Sequence, residues 1–302
     1  MCEFEGYSSE WREMADVVLK EVVPSSLGVT WSDCVGLEQC VQLLKEAVIF
    51  PLWHPGLFTG LIAPWRGVLL YGPPGTGKTL LSKAVACESK MMFFNVTSSA
   101  FIHKWRGDSE KMLKVLFDVA KLHAPSTIFV DELDALTATC DFQHDASRRF
   151  RSELLVQLDG VLSDSGQVFI LATTNRPWDL DSAILRRFEK RVLVDLPAKE
   201  ARSEIFKYYF SNNGDRFTEP ELKEMAERSA DYSGSDIKVA CREACMAKLR
   251  EKIAAKGTRI DKLKVNSPGV EDVIRALTKV RPVTDSSAQE KYKKWRDNFG
   301  SY

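Results

Sequence analysis

The stretch Gly72-Pro73-Pro74-Gly75-Thr76-Gly77-Lys78-Thr79 decides the fold of this chain. It follows an apolar run at 68–71 and leads into a helical pattern that begins at Leu80. A strand, a glycine-rich loop and a helix in this order are the setting that a phosphate-binding loop requires. The glycines let backbone N–H groups approach phosphates at the positive end of the helix. Residues 72–80 therefore predict a nucleotide site, in which Lys78 reaches the β- and γ-phosphates and Thr79 places its hydroxyl on Mg²⁺.

Composition bounds the class of protein. The chain has 302 residues, of which 44% are hydrophobic and 28% charged, which is typical of about two globular domains. Lys plus Arg and Asp plus Glu balance at 42 each, so the net charge indicates neither a nucleic acid nor a membrane as partner. Seven scattered cysteines without a CxxC pair favour reduced thiols over disulfides or a zinc site. With no secretory signal and no long apolar stretch, we expect an intracellular, soluble protein.

Strand and helix patterns alternate through the middle of the chain. Alternation with nearly all-apolar strands predicts an α/β fold with a parallel, five-stranded sheet sandwiched by helices. The five predicted strands are 68–71, 93–96, 127–130, 168–173 and 191–194. After Pro197 the pattern is helical, which predicts a second, smaller domain. The expected divisions are a lead-in helix or linker at 1–28, a large domain at 29–197, a small helical domain at 198–284 and a carboxy-terminal helix at 285–302.

Two carboxylates follow the third predicted strand. Asp131 and Glu132 end this strand, at the edge of the sheet where the nucleotide is expected. We predict that Asp131 holds Mg²⁺ through its water shell and that Glu132 polarises the attacking water. The alternative is a solvated rim of acidic residues, which the preceding phosphate loop disfavours.

Three further polar residues follow the next strand. Asn175 ends that strand and can orient water beside the γ-phosphate, although an Asn shortly before Pro177 is also typical of a turn. Arg186 and Arg187 follow a helix-like run and show no obvious partner within the chain. Arginine stabilises charge on a transferring phosphoryl group and can be supplied by a neighbouring subunit. Ordinary exposed arginines are the alternative.

Together these residues resemble an AAA ATPase. Gly72 to Thr79, Ile128 to Glu132, Asn175 and the Arg186-Arg187 pair occur in the order of that family, and the resemblance runs from about Val29 to the end. Within the family the sequence is similar to the meiotic clade, which holds katanin, spastin, fidgetin and the ESCRT-disassembling ATPases. The segments most similar to katanin are 57–60, 64–65, 104–111, 124–129 and 185–191.

The resemblance implies a P-loop AAA+ fold with a helical lid, and a homo-hexamer that forms with nucleotide. ATP and Mg²⁺ would then lie between subunits, with Arg186 and Arg187 supplied by the neighbour. The segment from Asp33 to Gly36 matches the one that lines the adenine, and Val35 and Gly36 are its expected binding residues. Gly234 and Ser235 match the lid segment that closes over the nucleotide. The complete nucleotide set is Val35, Gly36, Gly72, Pro73, Pro74, Gly75, Thr76, Gly77, Lys78, Thr79, Leu80, Asp131, Gly234 and Ser235, with Glu132, Asn175, Arg186 and Arg187 catalytic.

Two segments match the pore loops of such rings. Lys104-Trp105-Arg106-Gly107 matches the first, in which an aromatic wedge grips a polypeptide and the basic neighbours attract an acidic strand. Read alone, Trp105 would be a core residue, but it lies in a polar stretch. His144, Arg148 and Arg149 match the second loop and the helix start after it, with a solvated basic helix face as the alternative.

Resemblance to katanin implies a function. The ring would pull the acidic carboxy-terminal tails of tubulin through its pore and so sever microtubules, in the cytoplasm and at spindle, centrosome or basal body. A regulatory subunit is left open. One alternative is disassembly of membrane-bound ESCRT filaments, which the basic Lys104-Trp105-Arg106 loop disfavours. Another is a nucleotide-regulated, microtubule-binding scaffold subunit, which the intact Glu132 and arginines disfavour.

Overall fold

A six-stranded sheet forms the centre of the large domain in a computed structural model of the chain. The structure describes residues 7–24, 28–97, 109–138, 145–163, 167–212, 214, 217–256 and 267–301. The strands are β1 (Val22–Val23), β2 (Gly67–Tyr71), β3 (Met92–Thr97), β4 (Ser126–Asp131), β5 (Val168–Thr174) and β6 (Lys190–Leu193). The helices are α1 (Ser9–Leu19), α2 (Glu38–Leu44), α3 (Phe50–Trp53), α4 (Lys78–Ser89), α5 (Ser109–Leu122), α6 (Leu133–Ala138), α7 (Asp145–Ser163), α8 (Ser182–Leu185), α9 (Lys199–Asn212), α10 (Glu219–Arg228), α11 (Gly234–Lys256), α12 (Val270–Lys279) and α13 (Ser286–Phe299).

The predicted parallel sheet is confirmed. Its strand order is β1-β3-β4-β5-β2-β6, and β2 to β6 pair in parallel. The register aligns Tyr71 with Thr174 and Thr97 with Asp131, so these strands end at one edge of the sheet. β1 is an additional strand that the sequence analysis missed, and it pairs antiparallel with β3. Two residues are too short a run to show a strand period.

Side chains of the central strands alternate between two buried layers. In β2, Leu69 and Tyr71 pack into one cluster, and Val68 and Leu70 pack into the other. The first cluster is completed by helices α1, α5, α7, α8 and α13, and the second by α2 and α4. Because both faces are covered, strands of the sheet carry apolar residues at successive positions. The sheet is therefore the middle layer of a three-layer sandwich.

Helix α1 of the lead-in segment packs onto this sandwich. Ala15 and Val18 of α1 are fully buried in the first cluster, and Lys111 of α5 forms an ion pair with Glu10 at 2.7 Å. The expected helix forms, and its apolar face docks on the sheet domain because isolated helices of this length are marginal in water.

The helical domain after β6 has its own core. Helices α9 to α12 surround a third cluster, whose fully buried members include Phe206, Met225 and Val273. Every element in the described part of 199–279 is a helix. The following helix, α13, leaves this domain and returns to the sheet, where Tyr292 and Trp295 are buried in the first cluster.

Among the helices of the described residues, none combines the length and the apolar character needed to span a bilayer.

Candidate nucleotide site

The predicted phosphate loop lies between β2 and α4, at the carboxyl edge of the sheet. It requires glycine at two of its positions. At Gly72, which has a φ of 150°, a Cβ would lie 2.2 Å from the backbone oxygen of Val194. Gly77 caps α4 in a left-handed conformation with a φ of 105°. The loop therefore turns tightly onto β6 and presents the start of α4 to the cleft, where free N–H groups favour anions.

Lys78 is buried beneath the loop. Its side chain is only 6% exposed, and its ammonium donates to the backbone oxygens of Gly72 at 2.8 Å and Pro73 at 2.6 Å. Burial lowers the pKa of Lys78 to about 8, against the opposing effect of Asp131 and other nearby carboxylates. Among the described residues its hydrogen-bond partners are backbone oxygens, so phosphate oxygens would supply an anionic partner.

Asp131 and Thr79 meet across the base of the cleft. The Thr79 hydroxyl donates to Asp131 Oδ2 at 3.2 Å, and the Thr173 hydroxyl donates to Asp131 Oδ1. A carboxylate beside a hydroxyl is the oxygen-rich donor set that suits Mg²⁺. The described residues contain no group of three or more His, Cys, Asp or Glu side chains that could hold a metal by themselves. The residues therefore fit a magnesium ion whose remaining ligands are phosphates and water.

Glu132 adopts an unusual backbone conformation. Its φ is 53°, in the left-handed region, and its N–H donates to Thr173 Oγ1 at 3.1 Å. Such a conformation in a residue other than glycine is held by its surroundings and is enriched at functional sites. Glu132 directly follows β4 and lines the cleft next to Asp131.

Asn175 follows β5 at the same edge. Its N–H donates to Asp134 Oδ1 at 3.3 Å, and the neighbouring Thr174 hydroxyl donates to the same oxygen at 2.7 Å. The residue lines the cleft. Parallel strands thus bring Asp131, Glu132 and Asn175 to one wall, as the sequence analysis expected of their positions.

The cleft between sheet and lid has a volume of about 460 Å³. Gly36, Gly72 and Pro73 of the predicted set do not line it. Gly36, with a φ of 75°, instead packs against α9, where a Cβ would lie 2.6 Å from Ala201 Cβ. The predicted residues that do line it are Val35, Pro74, Gly75, Thr76, Gly77, Lys78, Thr79, Leu80, Asp131, Glu132, Asn175, Gly234 and Ser235.

The lid touches the phosphate loop directly. Ser235 N donates to the backbone oxygen of Gly75 at 3.1 Å. Gly75 has a φ of 79°, and a Cβ there would lie 2.5 Å from Ser235 Oγ. The start of α11 and the phosphate loop are therefore in close contact.

Several lining residues were missed. They are Leu37, Thr173, Asp195, Pro197, Ile205, Tyr208, Tyr209 and Lys238, whereas Asp33 belongs to the segment that the resemblance already placed at the adenine. Tyr208 donates its hydroxyl to Asp33 Oδ1 at 2.6 Å, and this bond is the main cause of the lowered pKa of Asp33. The i, i+3, i+4 spacing of Ile205, Tyr208 and Tyr209 was the available signal for this face of α9.

The two predicted arginines lie outside the chain's own cleft and differ from each other. Contrary to the sequence analysis, Arg187 has a partner within the chain, because its Nε and Nη2 donate to the two oxygens of Asp159 at 2.7 and 2.6 Å. The pair joins α7 to Arg187, which lies two residues after the end of α8. Arg186 is exposed, and its guanidinium forms no hydrogen bond or ion pair with the part of the chain that the structure describes.

Only some of the predicted pore residues belong to the part of the chain that the structure describes. Lys104, Trp105, Arg106, Gly107 and His144 lie outside the described residues. Arg148 lies in α7, but its side chain is outside the described part. Arg149 is exposed, with its Nε 3.3 Å from Glu110 Oε1.

Comparison with known families gives two matches. The model of the ATPase family associated with various cellular activities (AAA) matches residues 68–196, and the AAA+ lid domain model matches residues 219–262. Among curated proteins, the chain is similar to the katanin p60 ATPase-containing A-like 2 protein of Xenopus tropicalis, at 42% identity over 99% of this chain and 58% of that protein. It is similar to the katanin p60 ATPase-containing A1 protein of Arabidopsis thaliana at 43% identity, over 98% of this chain and 59% of that one. The chain thus spans about three fifths of the length of these relatives.

Solved structures give the same result at domain level. The FIGL-1 AAA domain in complex with ADP superposes with a TM-score of 0.87 at 37% identity, covering 99% of this chain and all of that one. A structure described as the structural basis for katanin self-assembly superposes with a TM-score of 0.78 at 35% identity, covering 97% of this chain and 99% of that one.

Proposed function

The chain belongs to the AAA family of ATPases, and we propose that it uses ATP hydrolysis to sever microtubules as a katanin-like ring. The observation that carries the proposal is that the residues expected at one ATP site lie in two separate places on the chain. The cleft holds Lys78, Asp131 and Glu132, whereas Arg186 is exposed elsewhere on the chain. A neighbouring copy can supply Arg186 to the cleft, which makes assembly a requirement for hydrolysis.

We assign each of these side chains in the cleft a role in binding or hydrolysing ATP. Thr79 and Asp131 hold Mg²⁺, which neutralises charge on the phosphates when it is bound. Lys78 binds the β- and γ-phosphates, Glu132 accepts a proton from the attacking water and Asn175 orients that water. The left-handed backbone at Glu132 and the hydrogen bond to Asn175 N support these assignments, because both fix the side chains at the edge of the sheet.

The assembly that fits is a homo-hexamer formed with nucleotide. A related katanin structure is described as a basis for self-assembly, which supports an oligomer for this chain. The two arginines have separate tasks in this assembly. Arg187, bound to Asp159, orients the segment, and Arg186 reaches the neighbour's γ-phosphate.

The substrate that we propose is the acidic carboxy-terminal tail of tubulin. One support is the similarity of the chain to katanin ATPases. The other is the set of basic residues in the two predicted pore segments, Lys104, Arg106 and Arg149. Positive charge attracts an acidic strand, and Trp105 supplies an aromatic contact that any sequence can satisfy. The location that follows is the cytoplasm, on microtubules of the spindle, centrosome or basal body, and a regulatory subunit is a further partner.

Imaging of labelled microtubules tests this function. We expect the purified chain with ATP to cut intact polymer and to spare polymer whose acidic tails have been clipped. Trp105→Ala should retain basal ATP turnover and lose severing, while Trp105→Phe, which keeps an aromatic ring, should retain both. Intact polymer at saturating chain and ATP would contradict severing and favour the scaffold role. Disassembly of membrane-bound filaments in its place would favour the ESCRT-like role.

A further inference from the structure

The carboxy-terminal helix contacts the hydrolytic edge of the sheet. Tyr292 of α13 is 4% exposed, and its hydroxyl donates to the backbone oxygen of Asn175 at 2.5 Å. Its ring lies 5.0 Å from that of Trp178, over which Lys291 places its ammonium at 3.7 Å. These contacts all fall on the segment that follows β5. The helix is thus fixed to the residue that we assign to the attacking water.

Asn175 is held from two sides. Asp134 accepts its N–H, and Tyr292 donates to its carbonyl, so both backbone polar groups have side-chain partners. The N–H and the C=O of one residue belong to the two peptide groups on either side of its Cα, so fixing both restricts rotation about φ and ψ of Asn175, and the side chain then leaves the backbone in a defined direction. Burial raises the pKa of Tyr292 to about 12, so its hydroxyl stays protonated and remains a donor at neutral pH.

The same helix also contacts the strand before the phosphate loop and the lid. Trp295 packs edge-on against Tyr71, the last residue before the phosphate loop, with ring centroids 4.4 Å apart. On the lid side, Gln289 donates to Asp231 at 3.0 Å, in the turn between α10 and α11. One helix therefore connects β2, β5 and the lid.

We propose that Tyr292 is a positioning residue for ATP hydrolysis, which acts by holding the carbonyl of Asn175 and thereby directing the Asn175 side chain to the attacking water. The proposal rests on ATP hydrolysis in this cleft and not on microtubule severing. Its consequence is that docking of α13 controls the rate of the chemical step and leaves nucleotide binding unchanged. Nothing in this role requires Tyr292 to touch the nucleotide.

Tyr292→Phe tests the proposal, because it removes the hydroxyl and keeps the ring contact with Trp178. We expect kcat for ATP to fall about tenfold with unchanged KM, since small displacements of a positioning group cost large factors in rate. The measurement is made at chain concentrations where turnover per chain no longer rises, so that assembly is complete.

Tyr232→Phe is the matched control. Tyr232 is also buried, and its hydroxyl donates to the backbone oxygens of Leu277, at 2.6 Å, and Val280 in the lid. We expect the two variants to lose similar thermal stability, and Tyr232→Phe to keep the wild-type kcat. Equal losses of kcat in the two would show that Tyr292 is merely structural and would overturn the proposal.

A double-mutant cycle distinguishes positioning of Asn175 by Tyr292 from a nonspecific loss of activity. If Tyr292 acts through the side chain of Asn175, then Tyr292→Phe should lower kcat no further in an Asn175→Ala background. Multiplied effects, or a wild-type kcat in Tyr292→Phe alone, would refute the positioning role while leaving the ATPase assignment intact. Absence of turnover in the unmodified chain would instead refute hydrolysis itself.

Discussion

The two walls of the nucleotide cleft, which we call the sheet wall and the lid wall, are lined by different kinds of residue. The sheet wall carries ionisable groups at fixed positions, among them the buried Lys78 and the hydrogen-bonded Asp131. The lid wall carries Tyr208 and Tyr209 of α9 and the start of α11, and it meets the other side through single contacts such as Ser235 N to Gly75 O. We infer that the sheet wall performs the chemistry and that the lid wall encloses the nucleotide.

This difference gives a rule for the variants. Changes to Glu132 or Asn175 of the sheet wall, or to Arg186, should lower kcat, whereas changes to the lid wall should lower affinity and leave kcat in place. A lid variant that stops hydrolysis at saturating ATP would break the comparison.

The largest effect is expected for Glu132→Gln. The amide keeps the shape of the side chain but cannot accept a proton, so kcat should fall by about 10³-fold, within the range for loss of a general base. Nucleotide binding, measured with a fluorescent ADP, should remain within about twofold of wild type because the charge of Lys78 is retained. Glu224→Gln, on the exposed side of α10, is the control and should change neither value. Unchanged turnover in Glu132→Gln would remove this residue from its role.

The second-largest effect is expected for Arg186, which we assign to the nucleotide site of a neighbouring copy. Arg186→Ala should lower turnover by at least about 10²-fold, since an arginine that stabilises the transferring phosphoryl group contributes factors of this size. ADP binding to the isolated chain should be unaffected, because Arg186 does not line its own cleft. Arg281→Ala, another exposed arginine, serves as the control. An ADP affinity that falls together with turnover would place Arg186 in its own cleft and contradict the trans assignment.

The lowered pKa of Lys78, about 8, predicts a pH dependence of binding. Phosphates raise this pKa in the complex, so affinity is full below the free value and declines as pH rises through it. Between about pH 7 and pH 9 the Kd for ADP should therefore increase about tenfold, as the protonated fraction of the free ammonium decreases. Calorimetry without Mg²⁺ measures this, and Lys78→Arg, which does not titrate in this range, should show a flat profile. A flat wild-type profile would contradict the burial effect on this lysine.

The smallest effect is expected in the lid wall. Tyr208→Phe removes the hydroxyl that bonds to Asp33, and loss of one such bond should weaken ADP binding about three- to fivefold. Turnover at saturating ATP should stay at the wild-type rate, because neither residue belongs to the sheet wall. Stopped-flow binding and steady-state kinetics on the same preparation separate the two constants. A reduced kcat at unchanged affinity would reverse the assignment of the walls.

The sheet wall was predictable because its residues form short motifs beside apolar strands. Residues 68–79 and 127–132 each carry both the strand signal and the chemistry, and the fold places them as expected. The lid wall was mostly missed, since Tyr208 is an ordinary aromatic until α9 is packed beside Asp33, which lies 175 positions earlier. The Arg187–Asp159 pair was also not predicted, because contacts between elements distant in sequence leave no local pattern. β1 is defined by its pairing with β3 alone.

The central claim is that a neighbouring copy completes the hydrolytic site. Turnover per chain, measured over a range of chain concentrations with assembly followed by mass photometry, tests it most directly. The account predicts that turnover per chain rises steeply as monomers become rings, and that Arg186→Ala forms the same rings with Mg²⁺ and ATP but shows no such rise. Turnover per chain that stays constant across the transition from monomer to ring would contradict it.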